Sequence, residues 1–360
     1  MKKCFFMAIA VLAFLTACQN ENETIINDGS IYFTNALTTR ATPVTDATSL
    51  QNGFNVLGYA EDLKIFDNVR TKHEIVNGKS VWTVSPVKYW ANNTTYNFFA
   101  SYPSTNTFTT LGDDDEKNVA KIGNFVNDGN VDLVLAGRMV KTGMNEARTD
   151  AAQLVFKHAL SRVRFGFANA YSDNDAVAVT VTVTDVALVN ENKNGTVTIT
   201  TTDNTEHATA SGSTIVWSSV SSNNSNINFA FDSKEADFAG DGAAIAEDFI
   251  EATDYKYIIP TEESKKTVGN SYSLSCVITA YDENNNVIKQ FNYNTRGNYI
   301  PLKVKKIGED NYSDKLIHEA GKSYTYTMNI KSTLNEITFT VDVEDWVDGV
   351  GGEIDFPGDN

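Results

Sequence analysis

Residues 271–280 read Ser-Tyr-Ser-Leu-Ser-Cys-Val-Ile-Thr-Ala, with an apolar or aromatic side chain at every second position. The residues at its even positions are all apolar or aromatic: Tyr272, Leu274, Cys276, Ile278 and Ala280. Successive side chains of a β-strand point to opposite faces of its sheet. The pattern therefore predicts a strand with one face in a core and the other face toward solvent.

The same period of two recurs at residues 177–183, 324–330 and 337–343. After the first of these runs the parity changes at Asp185, which predicts a bulge or bend in the strand. No stretch of helical period is long enough to predict a helix. Several short strands separated by turns are typical of β-sandwiches, and 360 residues suffice for two of them.

Turn-forming residue pairs lie between the predicted strands. Asn77-Gly78, Asp128-Gly129 and Asn194-Gly195 each combine residues that adopt positive φ readily. A new strand beginning at Arg162 indicates a domain boundary near residues 155–165. We therefore predict an all-β chain of two sandwich domains in tandem.

The first twenty residues have the order of a secretory signal. Lys2 and Lys3 precede the apolar run from Phe5 to Leu15, which is too short to span a bilayer as a mature helix. Leu15-Thr16-Ala17-Cys18 then matches a lipobox, so we predict cleavage before Cys18 and lipidation of its thiol. The acyl chains would anchor the mature protein to a membrane, with about 0.8 kcal/mol for each buried methylene. The polar, acidic run Gln19 to Glu23 resembles the export signal that sends lipoproteins of Bacteroidales-type bacteria to the outer membrane.

Charge and cysteine content exclude several classes of function. The formal net charge is −17, and loss of Lys2 and Lys3 with the signal makes it two units more negative. Such a surface repels nucleic acid, so we expect no nucleic-acid partner. After processing only Cys18 and Cys276 remain, and a lipidated Cys18 leaves no pair for an internal disulfide and no cysteine cluster for a metal.

Candidate catalytic and metal-binding residues are few. The four histidines, His73, His158, His207 and His318, have no zinc-ligand spacing, and we expect His158 to be a hydrogen-bonded structural residue. The acidic run Asp113 to Glu116 lacks the spaced ligands and glycine of a calcium loop. The sequence thus predicts no metal, no cofactor and no enzyme activity, because no nucleophile or carboxylate constellation is visible.

A clustered set of aromatic residues leaves two functions open. Tyr89, Trp90, Tyr96 and Tyr102 lie within fourteen residues of one another. If these side chains are exposed, they would form a platform on which sugars stack. If they are buried, they are ordinary core residues. The first arrangement would favour a monomeric surface lipoprotein that binds glycans.

A series of motifs, in a fixed order, resembles those of the fimbrillins, the lipoprotein-precursor pilins of Bacteroidales that build type V pili. The motifs are Thr39-Arg40, Gly53 to Tyr59, Val87 to Trp90, Tyr96 to Pro103, Val131 to Val134, Leu154 to Ser161, Tyr257 to Pro260, Gly321 to Tyr326 and Val343 to Trp346. The resemblance implies two transthyretin-like (Greek-key) β-sandwich domains, and the partners it implies are other pilin subunits, an arginine-specific protease and a host or bacterial surface ligand.

The resemblance also implies a maturation step. An arginine-specific protease would cut between Arg40 and Ala41, removing a short strand predicted at residues 31–34 together with the lipid. A strand from a neighbouring subunit would then fill the groove. On sequence alone, an ordinary loop arginine is the more common interpretation of Arg40. The strand before it, the lipid anchor and the family pattern bring the cleavage interpretation level with that one.

These expectations divide the chain into five parts. They are a lipoprotein signal peptide (1–17), an N-terminal propeptide with a strand (18–40), an N-terminal sandwich (41–160), a C-terminal sandwich (161–349), and a flexible tail or short donor strand (350–360). In the tail, Ile354 and Phe356 alternate as a donor strand would, but stalk and tip roles stay open.

Overall fold

In the computed structural model, most of the described residues form β-strands. The described residues are 28–35, 50–109, 116–144, 148–170, 179–202, 213–229, 236–238, 249–251, 255–262, 273–282, 284–295, 298–301, 318–331 and 338–345. Within these ranges, no helix has the length and apolar character needed to cross a lipid bilayer.

The strands, in chain order, are β1 (Phe33–Asn35), β2 (Asn55–Ala60), β3 (Leu63–Arg70), β4 (Lys72–Val76), β5 (Lys79–Thr83), β6 (Thr95–Tyr102), β7 (Val119–Val126), β8 (Val134–Lys141), β9 (Ala152–Leu154), β10 (Lys157–His158), β11 (Ser161–Ala170), β12 (Val179–Thr201), β13 (Ser213–Asn228), β14 (Ala236–Phe238), β15 (Phe249–Glu251), β16 (Lys256–Ile258), β17 (Ser273–Tyr281), β18 (Val287–Asn292), β19 (Ile300–Pro301), β20 (Lys322–Lys331) and β21 (Thr338–Asp345). They confirm the all-β class.

Four sheets enclose the cores. The first half of the chain forms the sheets β4-β5-β1-β9 and β10-β8-β6-β2-β3, and a cluster of buried side chains that includes Phe33, Phe66 and Phe98 belongs to these two sheets. The second half forms β15-β11-β20-β21, joined by β16, and β13-β12-β17-β18, joined by β14 and β19. Phe165, Cys276 and Tyr326 belong to the core of this second half. The predicted strand is confirmed as β17, and Leu274, Cys276, Ile278 and Ala280 are buried as expected. Its other face is not open to solvent throughout, because Ser275 and Thr279 are also buried.

The two halves are joined by a shared sheet and not only by the chain itself. Strand β7, from the first half, pairs with the second part of β12, and β13 pairs with β12 along most of its length. A third core cluster contains Leu57 and Phe99 from the first half and Ile199 and Trp217 from the second. The division at residue 160 therefore stays a prediction, since hydrogen bonds and a common core cross it.

Two local predictions from turn and bulge signals have different outcomes. Asp185 has a φ of 54°, and the register of β12 against β17 shifts between Thr184 and Val189, so the bulge is confirmed. Asn194-Gly195 is not a turn, because both residues lie inside β12 and pair with β7. The physical reason is close packing: a Cβ at Gly195 would lie 2.9 Å from the ring of Trp217.

Cys276 should be chemically inert in the folded chain. Its side chain is fully buried, and burial raises the pKa of the thiol to about 12. At pH 8 we expect alkylation of Cys276 to be slower than that of a free thiol by on the order of a thousandfold, because only the thiolate reacts. Mass spectrometry after iodoacetamide treatment checks this, with the urea-unfolded chain as the control. Rapid labelling without denaturant would contradict it.

Candidate functional site

The segment Asp28–Asn35 occupies a slot between two other strands. On one side Ile31 N donates to Lys88 O (2.7 Å), and Trp90 N donates to Gly29 O (3.0 Å). On the other side Ala152 N donates to Tyr32 O (2.9 Å), and β1 runs parallel to β9 from Phe33 to Asn35. Phe33 also pairs with Trp82 of β5. The segment is therefore a central strand of its sheet.

The side chains of this strand fill the first core. Phe33 is fully buried, and its ring meets Phe98 (centroids 5.3 Å apart) and Phe66 (6.3 Å) edge to face. Ile31 is also buried and belongs to the same cluster. Burial of each such side chain stabilises the fold by about 1.5–3 kcal/mol. Emptying the slot would expose these pockets and leave β5 and β9 as open edges.

The chain on either side of the predicted cleavage point packs in the first core. Residues 36–49, which include Arg40 and Ala41, lie outside the described residues, as does Cys18. Strand β1 precedes this interval. Leu50 follows it and is fully buried, and the Leu50 carbonyl accepts a hydrogen bond from Trp82 Nε1 (2.9 Å). A cut at Arg40 would thus separate the slot's strand from the rest of the sandwich without removing any other described element.

Two arginines lie beside the slot. Arg148 Nη2 is 2.8 Å from Asp150 Oδ2, and its guanidinium lies over the ring of Trp90 at 4.9 Å. Burial lowers the pKa of Arg138, and the nearby Arg148 charge lowers it further. Burial also lowers the pKa of Arg148, and the charges of Asp150 and Tyr32 offset part of this decrease. The Nε atoms of Arg138 and Arg148 are buried without a hydrogen-bond partner among the described residues.

The sequence signals did not reveal these arginines. Arg138 and Arg148 are separated by ten residues and lie in segments without a recognisable motif, so only the fold brings them together. The spacing of Arg148 and Asp150 allows an ion pair, but it does not predict where that pair lies.

The clustered aromatics do not form an exposed platform. Trp90 and Tyr96 are buried in the first core, and Tyr102 is half-buried against it. Of the four residues, only Tyr89 is largely exposed, at 62%. The structure thus favours core packing over sugar stacking for this cluster.

His158 has a structural position. Its Nδ1 lies 2.6 Å from Asp132 Oδ2, and both side chains are almost fully buried beside the end of β8. This confirms the expected hydrogen-bonded histidine. Among the described residues, no group of three or more His, Cys, Asp or Glu side chains could hold a metal ion. Asp113 to Asp115 lie outside the described residues.

Comparison with known proteins identifies the family. A sequence model described as fimbrillin-like matches residues 39–346. The chain belongs to the fimbrillin-like family. The resemblance inferred from the ordered motifs is thereby confirmed, and membership assigns the chain to a family of fimbrial, cell-surface proteins.

A solved structure supports the fold. A fimbrial protein from Bacteroides vulgatus ATCC 8482 is 14% identical, with 88% of this chain and 99% of that chain covered and a TM-score of 0.58. The fimbrial anchor protein Mfa2 from Porphyromonas gingivalis is 10% identical, with 88% and 97% covered and a TM-score of 0.34. No curated protein matches the chain.

Proposed function

We propose that this fimbrillin-like chain is a pilin subunit of surface fimbriae that is assembled by donor-strand exchange and supports adhesion. Export as a lipoprotein through Cys18 would hold the precursor at the outer membrane. Cleavage between Arg40 and Ala41 would then release residues 18–40, and a strand from a neighbouring subunit would enter the vacated slot.

The observation that carries this proposal is the central position of Asp28–Asn35. A strand that is paired on both sides cannot be removed without leaving two rows of unpaired backbone groups and open apolar pockets. An incoming strand restores the ladder, and its alternating side chains refill the pockets. Before cleavage the slot is full, so the precursor has no site for a partner strand.

Treatment with an arginine-specific protease tests the maturation step. We expect the mature-length chain, residues 18–360 with Cys18→Ser, to yield a new N-terminus at Ala41 and then ladders that resist SDS without heating. N-terminal sequencing and gel electrophoresis measure both. The matched control is Arg40→Lys, which keeps the positive charge but removes the cleavage site. Ladders from the uncut Arg40→Lys chain would contradict the proposal.

A further inference from the structure

Arg138 and Arg148 carry more positive charge than the residues around them balance. Arg148 Nη2 lies 2.8 Å from Asp150 Oδ2 and donates to Ala151 O (3.3 Å). Within the part of the chain that the structure describes, Arg138 forms no ion pair, and its Nε is buried without a hydrogen-bond partner. One carboxylate therefore serves two guanidinium groups.

The packing brings these two arginines to the same end of the first core. Arg138 lies on the core-facing side of β8 together with Ala136, and it pairs across the sheet with Phe98. The ring of Phe98 meets the ring of Trp90, with centroids 5.8 Å apart. Arg148 Cζ lies 4.9 Å from the centroid of the Trp90 ring. The aromatic pair thus connects one arginine to the other.

This end of the core is accessible from one side of the first half. β9 is the last strand of one sheet, and β8, beyond its short pairing with β10, is the last described strand of the other. The side chains of Arg148 and Asp150 are 21% and 26% exposed, and Arg138 is half-buried. A small anion can therefore reach the guanidinium groups, and its attraction to them is screened less than on an open surface.

Burial makes unbalanced charge costly at this place. A charged group that is removed from water is stable only where opposite charge or hydrogen-bond acceptors replace the water. Burial and the Arg148 charge both lower the pKa of Arg138, so both act against its charged form. Three buried donors have no partner among the described residues: Arg138 Nε, Arg148 Nε and Trp90 Nε1. A bound anion would relieve both costs.

We propose that Arg138 and Arg148 bind one carboxylate group, carried by a free organic acid or by an acidic sugar. A singly charged group, together with Asp150, balances the two guanidinium groups. A carboxylate also matches the planar fork of a guanidinium, which donates two parallel hydrogen bonds to it. An acidic sugar would serve the adhesion in the proposed function, but the site is complete in the uncut chain and does not depend on cleavage.

Titration of the uncut chain with sodium acetate tests the site. We expect a dissociation constant on the order of 1 mM, measured at constant ionic strength against sodium chloride. The indole N–H resonance of Trp90, assigned by its loss in Trp90→Phe, reports binding because its ring lies beside Arg148. The resonances of Trp82 and Trp217 are internal controls, because their Nε1 atoms already donate to Leu50 O and Ala159 O.

Sodium glucuronate and glucose distinguish the two sources of the carboxylate. Both acetate and glucuronate should shift the Trp90 resonance to saturation, and neutral glucose should not. Glucuronate that binds at least about tenfold more tightly than acetate would assign the site to acidic sugars, because groups beyond the carboxylate then contribute. Equal affinities would assign it to free acids. A shift with glucose that matches the shift with glucuronate would overturn the carboxylate.

Arginine variants test which side chains bind the carboxylate. Arg138→Gln should weaken acetate binding by about tenfold or more, because a charge-assisted hydrogen bond is lost. Arg138→Lys keeps the charge without the planar fork and should fall between Arg138→Gln and the wild type. Arg70→Gln makes the same change in charge at an exposed arginine of β3 and should alter binding by less than about twofold.

Two results would overturn this inference. One is a Trp90 shift that chloride produces equally at the same ionic strength, which would show screening alone. The other is an equal loss of binding in Arg138→Gln and Arg70→Gln, with unchanged Trp82 and Trp217 resonances showing that both variants are folded. Neither result bears on cleavage or on strand exchange, nor on the donor strand predicted for residues 350–360, which lie outside the described residues.

Discussion

Replacing Phe33 with Ala should lower the free energy of unfolding of the uncut chain by about 3–5 kcal/mol. The ring is fully buried between Phe66 and Phe98, and the loss of its volume leaves a cavity in the middle of the first core. Urea unfolding, followed by tryptophan fluorescence, measures the change through the midpoint at constant slope.

Two controls make the Phe33 experiment specific. Thr34→Ala changes the next residue on the same strand, whose side chain is only half-buried, and should cost less than about 1 kcal/mol. In the proposed function, cleavage after Arg40 removes residue 33, so cut and assembled Phe33→Ala and wild-type chains should become equally stable. A cost below about 1 kcal/mol for Phe33→Ala in the uncut chain would mean that the slot's strand contributes little to the core.

The strand in the slot shows how far sequence reasoning reaches. Residues 31–34 predict a short strand, and in the structure β1 covers Phe33–Asn35. The sequence did not predict that this strand lies between β5 and β9, because a strand's neighbours are set by contacts between distant residues. Phe33 pairs with Trp82 and with Ala152, which are 49 and 119 positions away.

The wrong turn at Asn194-Gly195 illustrates a different limit. Local sequence favours a two-residue hairpin there, as it does at Asn77-Gly78, where the structure has a tight turn between β4 and β5. At residue 195 the glycine is needed because the ring of Trp217 packs against the backbone. A glycine required for close approach and a glycine required for positive φ are identical in sequence. Only the packing partner distinguishes them.

The sequence could not decide whether the clustered aromatic residues are exposed or buried, for a related reason. Residues Tyr89 and Trp90 are neighbours in sequence, but one is exposed and the other is covered by the slot's strand and by Arg148. Strand parity would separate them, yet this segment is irregular and makes only an isolated bridge from Tyr89 to Ser30. The alternation of buried and exposed residues in a regular strand therefore could not be used to assign burial here.

In the proposed function, the connection between the two halves would carry any force that passes along the fimbria. The hairpin of β12 and β13 lies across the outer face of the sheet that contains β8. Thr201 Oγ1 donates to Asn97 Oδ1 (2.8 Å), and Lys157 Nζ donates to Ser213 O (2.6 Å). A Cβ at Gly137 would lie 3.1 Å from both Thr201 and Ser213, so the hairpin and β8 are in close contact. We therefore expect the two halves to resist separation.

Trp217→Ala should lower the free energy of unfolding by about 3–5 kcal/mol and uncouple the two halves. The indole is buried in the shared cluster, meets Phe125 with ring centroids 5.6 Å apart, and donates from Nε1 to Ala159 O (2.6 Å). Its loss removes the packing between β13 and the first half and leaves a buried carbonyl without its donor. Hydrogen exchange measured on peptides from β8 and from β20 should then report two unfolding transitions where the wild type shows one.

Two further variants separate packing from hydrogen bonding at this position. Trp217→Phe keeps most of the ring contacts but removes the N–H, so it should cost about 1–3 kcal/mol, the penalty for an unsatisfied buried acceptor together with a smaller ring. Val216→Ala changes the adjacent, exposed residue on the opposite face and should leave both transitions coincident. Both the shared cluster and the pairing of β7 with β12 link the halves. Coincident transitions in Trp217→Ala would therefore show that the strand pairing holds the halves together without the indole.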